Sequence, residues 1–221
     1  MSDLSAFNAA EEAPLIRLID DDVSFRRALQ RLLKAAGHQV VEYGSVGEML
    51  LAGINGPPGC LVLDIHMPGP SGLDLQDMLA AQPDPLPVIF VTAHATAQET
   101  LRAMKAGATD FFFKPVDGQA LLAVVNKAAR EDAARRQAHK RLTALKSRYL
   151  RLSPRERQVL DMVVNGALNK QISAQLGAAE RTIKAHRARV MEKMEVSSLP
   201  DLVRAVGQLG SAIHADGRAG I

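Results

Sequence analysis

Six positions in this 221-residue chain have side chains that can do chemistry together: the acidic run Asp20, Asp21 and Asp22, the lone Asp64, and Thr92 and Lys114, each closing a short apolar segment. Carboxylates gathered in one crevice repel each other and make a hard, oxygen-rich site. Such a site suits Mg²⁺, or another divalent cation such as Mn²⁺, held by few protein ligands and completed by water. With the metal in place, Asp64 can act as a carboxylate nucleophile on phosphorus, while Lys114 and the cation neutralise the transferring oxygens and Thr92 hydrogen-bonds the product. An aspartate at the end of a strand is more often a turn former or helix cap. No single member of the set carries the reading, and what matters is whether the fold brings them together.

The elements that must do so are legible as periodicity. Apolar runs at Leu15–Ile19, Gln39–Tyr43, Cys60–Leu63, Val88–Val91 and Asp110–Phe113 alternate with helical patterns, giving five βα units. In the first helical pattern Phe25, Leu29, Leu32, Leu33 and Ala36 share a face, Arg26, Arg27, Arg31 and Lys34 occupy the other, and Gly37 stands where a helix ends. Continuous apolar strands between amphipathic helices predict an α/β, doubly wound, five-stranded parallel sheet covered on both faces. Functional groups of such sheets collect at the carboxyl ends of the strands. Asp20, Asp64, Thr92 and Lys114 all fall there.

The segments LIDDD, LDIHMPGPSGLDL, VIFVTAHA and FFFKP resemble, in order and spacing, the receiver domain of bacterial two-component response regulators, over about Leu15 to Ala128. The resemblance implies a flavodoxin-like, CheY-like fold. It makes Asp64 the phosphoacceptor, Asp20 and Asp21 the acid pocket, Thr92 the switch hydroxyl and Lys114 the phosphate contact, with a Mg²⁺ contact from the backbone carbonyl of His66. Phe111 stands where many receivers carry an aromatic switch residue, often Tyr; a phenyl ring has no hydroxyl, so coupling here relies on ring burial. His66 and His94 lie two residues after Asp64 and Thr92, where they either tune phosphoryl lifetime or are plain loop histidines. Haloacid-dehalogenase-like phosphatases need a second Asp two residues after the nucleophile; His66 occupies that position and excludes the class.

Charge divides the chain. Up to Ala128 there are 9 Lys and Arg against 15 Asp and Glu, and from Ala129 onward 18 against 9. A basic C-terminal module is the electrostatic footprint of a protein that sits on phosphate backbones. After Lys114-Pro115, Asp117 offers a cap to a helical stretch with no Gly or Pro between 119 and 152. Within it Ala138, Leu142, Leu145, Tyr149 and Leu152 repeat with 4, 3, 4, 3 spacing, a seam that either pairs with a second chain or docks on the next domain. Ser153-Pro154-Arg155-Glu156 reads as a capping box, with Val159, Leu160, Val163 and Val164 as the buried face behind it. Asn165-Gly166 stops that helix, Asn169 is placed to cap a second through Leu176, and Gly177 turns into a third with its apolar stripe at Ile183, Val190, Met191 and Met194.

LSPRERQVL, NGALNKQISAQLG and RTIKAHRARVMEKM resemble the LuxR-type helix-turn-helix of the NarL/FixJ class, over about Leu152 to Leu209. The resemblance implies that the third of these helices enters the major groove and the last supports dimer contacts. Lys184 and His186 match DNA-contacting positions; Thr182, Arg181 and Arg187 on the same helix, and Lys170 on the preceding one, are further candidates, the basic ones for phosphates. Ala178-Ala179 replaces the usual bulky apolar residue and Ser or Thr before the recognition helix, which removes one packing group and one cap.

The expected organisation is a receiver over 13–128, a linker helix over 129–151, a helix-turn-helix domain over 152–209 and a disordered tail over 210–221. The resemblance implies a DNA-binding transcriptional regulator, an activator, switched by phosphate on Asp64. A sensor histidine kinase supplies the phosphate, the phosphorylated homodimer binds a double-stranded DNA operator, and it contacts RNA polymerase. The only chemistry implied is the receiver's own phosphorylation and dephosphorylation. The alternative is a constitutive DNA-binding regulator whose receiver serves only as a dimerisation module. Met1 to Pro14 has no basic leader region and no apolar run approaches the roughly 20 residues that span a bilayer, so a cytoplasmic protein without membrane contact is expected. Cys60, the one cysteine, begins an apolar strand and reads as a packing residue.

Overall fold

The computed structural model describes residues 13–54, 56–82 and 84–216, the last six by backbone alone. It separates into two compact units, residues 1–136 and 137–221. In the first, strands β1 (Leu15–Ile19), β2 (Gln39–Tyr43), β3 (Gly59–Leu63), β4 (Val88–Thr92) and β5 (Asp110–Phe113) alternate with helices α1 (Val23–Ala35), α2 (Val46–Ala52), α3 (Gly72–Ala80) and α4 (Ala97–Lys105), and α5 (Gly118–Leu150) follows. The strands pair in parallel in the order β2-β1-β3-β4-β5. The predicted sheet is borne out, with Gly59 and Thr92 each extending a strand by one residue. From β1 the chain goes to one side for β2 and then crosses to the other for β3, so the order reverses between β1 and β3. Such a switch point opens a crevice at the carboxyl ends.

Alternation along the buried strands divides the core between the two faces of the sheet. Ile19, Leu61, Leu63, Val88 and Phe90 pack on one side with Met49 and Leu73, Leu75 and Leu79. Ile16, Leu18, Cys60, Val62, Ile89 and Val91 pack on the other with Leu29, Leu33, Leu121 and Val125. Cys60 is fully buried there, and burial pushes its thiol up to about 12, so it is a packing group. Asp22 is the N-cap of α1, its carboxylate accepting from the Ser24 and Phe25 N–H groups, and Asp117 receives the Gln119 N–H at the start of α5.

The second unit holds α6 (Pro154–Val164), α7 (Asn169–Leu176), α8 (Glu180–Met194) and α9 (Leu199–Asp216). Its core joins Val159, Leu160, Val163, Ile172, Ile183, Val190, Met194 and Leu202 with Leu145 and Leu152. Leu142 and Tyr149 pack against that cluster and Ala138 is exposed. Four of the five seam residues are therefore covered within this chain, which realises the docking alternative. Two expectations are corrected. Asn169 does not cap α7: Leu168 occupies the cap, Gln171 reaches back to its N–H at 2.7 Å, and Asn169 is free to accept from Arg187 Nη1 at 2.9 Å. The tail read as disordered from Gly210 is instead helical through Asp216, because Leu202, Ala205 and Leu209 give α9 a buried stripe and a single glycine at 210 costs too little to stop the helix. Residues 217–221 lie outside the described residues.

The capping box of α6 is present, and it is charged. Glu156 is buried, accepts the Ser153 N–H at 2.9 Å and the Lys193 ammonium at 2.7 Å, and the Lys193 contact followed by the Ser153 amide holds its carboxyl down at about 2, below the usual 4.5. A depressed carboxyl contributes stability that is present above 4.5 and is lost as pH falls through about 2. Glu156→Gln is expected to lower the stability of the helix-turn-helix transition by about 2 kcal/mol at neutral pH. Chemical unfolding of the full chain should show that difference shrinking as pH falls below about 4.5 and vanishing only below about pH 2, whereas a pH-independent difference would mean that packing, not charge, is lost. Ala179 caps α8 without a side-chain bond. Ala179→Ser is therefore expected to raise the stability of the same transition by about 1 kcal/mol, and an unchanged midpoint would show that the first α8 amides are already satisfied.

Candidate functional site

Sheet register assembles the site. Ile19 stands opposite Leu63 in the β1–β3 pair, and the Asp64 N–H donates to the Ile19 carbonyl at 3.0 Å, so Asp20 and Asp64 leave the sheet side by side at the switch point. Thr92 stands opposite Phe113 in the β4–β5 pair, and the Lys114 N–H donates to the Thr92 carbonyl at 2.8 Å. Asp20, Asp64 and Thr92 are each buried.

Lys114 closes the group. Its ammonium lies 2.6 Å from Asp20 Oδ2 and 2.7 Å from Asp64 Oδ2, and Nζ sits over the Phe25 ring, 4.3 Å from the ring centre. Burial alone would depress this lysine, but the paired hydrogen bonds to the two carboxylates outweigh it and leave the ammonium held above its usual range. For Asp20 the balance goes the other way: burial raises its carboxyl more than the Lys114 contact and the Asp22 N–H lower it. Asp20, Asp21 and Asp64 each offer a carboxylate oxygen within 4.8 Å of the others, with Asp21 exposed and the other two buried. Three hard oxygens with an open side form a donor set that fits Mg²⁺ with retained waters.

The remaining receiver positions frame this group. Thr92 Oγ1 donates to the His94 carbonyl at 2.9 Å. The same carbonyl lies 3.1 Å from His66 Nδ1, while His66 Nε2 is 2.9 Å from Glu99. His66 is thus exposed but held at both ring nitrogens, and the second contact reaches the capping box that starts α4. No local pattern signals this bridge, since Glu99 is 33 residues away from His66. Phe111 is half-buried, its ring 6.0 Å from Phe90 and 5.3 Å from the exposed Phe113.

In the second unit α8 buries Ile183, Val190 and Met194 and turns Arg181, Thr182, Lys184 and Arg189 to solvent. Lys170 on α7 is also exposed. His186 is half-buried, with Nδ1 turned inward and unpartnered. Arg187, expected at phosphates, is half-buried and tied to Asn169 within the domain, so it fixes α8 against the start of α7. Arg155 likewise donates to the Leu176 carbonyl at the end of α7. The exposed basic groups of α8 therefore sit on a helix braced from behind, a geometry suited to a groove-reading element.

Comparison with known proteins gives two family matches: a response regulator receiver domain over residues 16–126, and bacterial regulatory proteins of the luxR family over residues 150–206. The chain is 44% identical over 208 residues to nodulation protein W of Bradyrhizobium diazoefficiens, covering 94% of this chain and 92% of that protein. It is 40% identical over 189 residues to the transcriptional regulatory protein FixJ of Azorhizobium caulinodans, covering 86% and 90%. Among solved structures, a low-resolution structure of response regulator StyR matches with a TM-score of 0.83 and 42% identity, over 89% of this chain and all of that one. No helix among the described residues is long and apolar enough to cross a membrane.

Proposed function

Since the chain belongs to the response regulators that join a receiver domain to a LuxR-type DNA-binding domain, and is on that ground a transcription regulator, we propose that phosphorylation of Asp64 switches its DNA binding. The observation that carries this reading is the convergence of Asp20, Asp21, Asp64 and Lys114 at the switch point, with one ammonium bridging two buried carboxylates. That arrangement keeps the Asp64 carboxylate fixed and supplies positive charge where phosphoryl oxygens arrive.

Asp64 attacks the phosphorus of a phosphohistidine on a sensor kinase, or of a small acyl phosphate. The new O–P bond forms as the donor's bond to phosphorus breaks and the leaving group takes its electron pair. Lys114 turns from carboxylate to phosphoryl oxygen and neutralises it. A Mg²⁺ held by Asp20, Asp21, Asp64 and the His66 carbonyl adds further charge neutralisation when bound. No other reaction is assigned to the chain; in dephosphorylation water attacks the phosphorus, the Asp64 O–P bond breaks, and the carboxylate leaves with its electron pair as inorganic phosphate is released. Thr92 must leave the His94 carbonyl to reach the phosphoryl group, and Phe111, already packed on the same core face, follows by turning inward.

Phosphorylated chains form a homodimer that places two α8 helices on half-sites about one helical turn apart, roughly 34 Å. Arg181, Thr182, Lys184 and His186 contact the DNA there, with Lys170 on the backbone, and the bound dimer acts as an activator through RNA polymerase. A titration of the full chain against a duplex it selects from a randomised pool tests the switch. Acetyl phosphate with Mg²⁺ should tighten binding about tenfold, a coupling of about 1.4 kcal/mol. Equal affinities would support the receiver as a mere dimerisation module.

A further inference from the structure

At the amino ends of the central strands, opposite the phosphorylation site, a buried ion cluster holds α5. Asp132 has no exposed side-chain surface. Its Oδ2 accepts the Gly59 N–H at 2.9 Å and lies 2.9 Å from Arg136 Nε as an ion pair whose N–H points off the line, while Oδ1 accepts from Arg135. Arg135 also donates to the Pro85 carbonyl and pairs with Asp84 at 3.6 Å. Arg17, a buried charge in the middle of β1, donates to the Pro57 carbonyl at 3.3 Å, beside the Gly56 carbonyl that receives Arg136. A side chain at Gly59 is impossible, since its Cβ would lie 1.9 Å from the Leu15 carbonyl oxygen.

Two features separate this cluster from ordinary core packing. Asp132, Arg135 and Arg136 lie after the receiver match ends at residue 126 and before the luxR match begins at 150, at the end of the first compact unit. The cluster grips β3 and the segment entering β4 directly, and β1 joins it only through Arg17 on the 56–57 segment that Arg136 also reaches; all three strands carry site residues. β3 begins at Gly59 and ends before Asp64, the loop of Asp84 and Pro85 leads into β4 and Thr92, and β1 carries Arg17 and ends before Asp20. A buried, fully paired charge tolerates little displacement, because a carboxylate that loses one partner is left desolvated.

We propose that the Asp132 cluster is the joint that fixes α5 to β3 and to the segment that leads into β4, so that a change at Asp64 is carried into the helix leading to the DNA-binding domain. Asp132 is a positioning residue in this role, which rests on the phosphorylation switch proposed above. The helix does not fray where the receiver match ends because the joint holds it.

The test uses the full chain as wild type, Asp132→Asn and Arg136→Met, with three readouts: phosphoryl incorporation from acetyl phosphate and Mg²⁺, hydrogen exchange over residues 129–150, and the ratio of affinities for the selected duplex with and without phosphodonor. Both variants should incorporate phosphate within about twofold of wild type and exchange about tenfold faster from Asp132 onward, and their affinity ratio should collapse to near one. If the variants keep the wild-type ratio, the joint is overturned and the switch stands. Loss of incorporation in both variants also overturns it, since the cluster would then be a folding element of the receiver. A wild type that takes phosphate but shows a ratio of one overturns the switch, and the joint with it.

Discussion

Asp64→Asn should bind the selected duplex with one affinity, whether or not acetyl phosphate and Mg²⁺ are present. An amide nitrogen or oxygen is a poor nucleophile on phosphorus, and the substitution removes the charge that Lys114 holds at 2.7 Å. The fold survives, because Asn has nearly the same volume and Lys114 keeps its partner Asp20 at 2.6 Å. Against the about tenfold tightening expected of wild type, the variant's response is none. The affinity at which it is frozen is itself informative. Equality with unphosphorylated wild type means that the carboxylate only receives phosphate; a value near the phosphorylated form means that its charge helps to hold the resting state. A variant that still responds to phosphodonor would move the phosphoacceptor elsewhere.

The second large effect is expected at α8. Arg181→Ala with Lys184→Ala removes two exposed cations from the helix whose other face is locked by Ile183, Val190 and Met194, so the fold should not change. Affinity for the selected duplex should fall by about 2 kcal/mol or more, roughly 30-fold, and the slope of log affinity against log salt should become shallower by about 1 for each phosphate no longer neutralised. Phosphoryl incorporation is untouched. An unchanged affinity and salt slope would mean that another surface meets the phosphates. Arg187→Ala differs in kind, because its guanidinium is tied to Asn169: its removal acts through the placement of α8.

The sheet and its site were legible in the sequence for a physical reason. Strands buried on both faces are short apolar runs, and a charged or hydroxyl residue closing such a run stands out, as Asp64, Thr92 and Lys114 do. Their order along the chain then maps onto one crevice because parallel strands end on the same side. What stayed hidden depends on partners distant in the chain. The α5 cluster has no local signature, because the Gly59 amide that anchors Asp132 is 73 residues away from it. The seam from Leu142 to Leu152 shows that a helix has an apolar face without saying what covers it; the core of its own domain does. At α7 the polar Asn169 next to the boundary looks like a cap, whereas Gln171 does the bonding from inside the first turn. The end of α9 is hidden in the sequence because Gly210 reads as a breaker, although one glycine costs a helix only about 1 kcal/mol.

One measurement bears most directly on the switch: mass mapping of the full chain after incubation with acetyl phosphate, with and without Mg²⁺. The prediction is a single phosphoryl group on the peptide carrying Asp64, formed only when Mg²⁺ is present. A chain that takes no phosphate, or takes it on another residue, contradicts the assignment of the Asp20, Asp64 and Lys114 crevice as the switch.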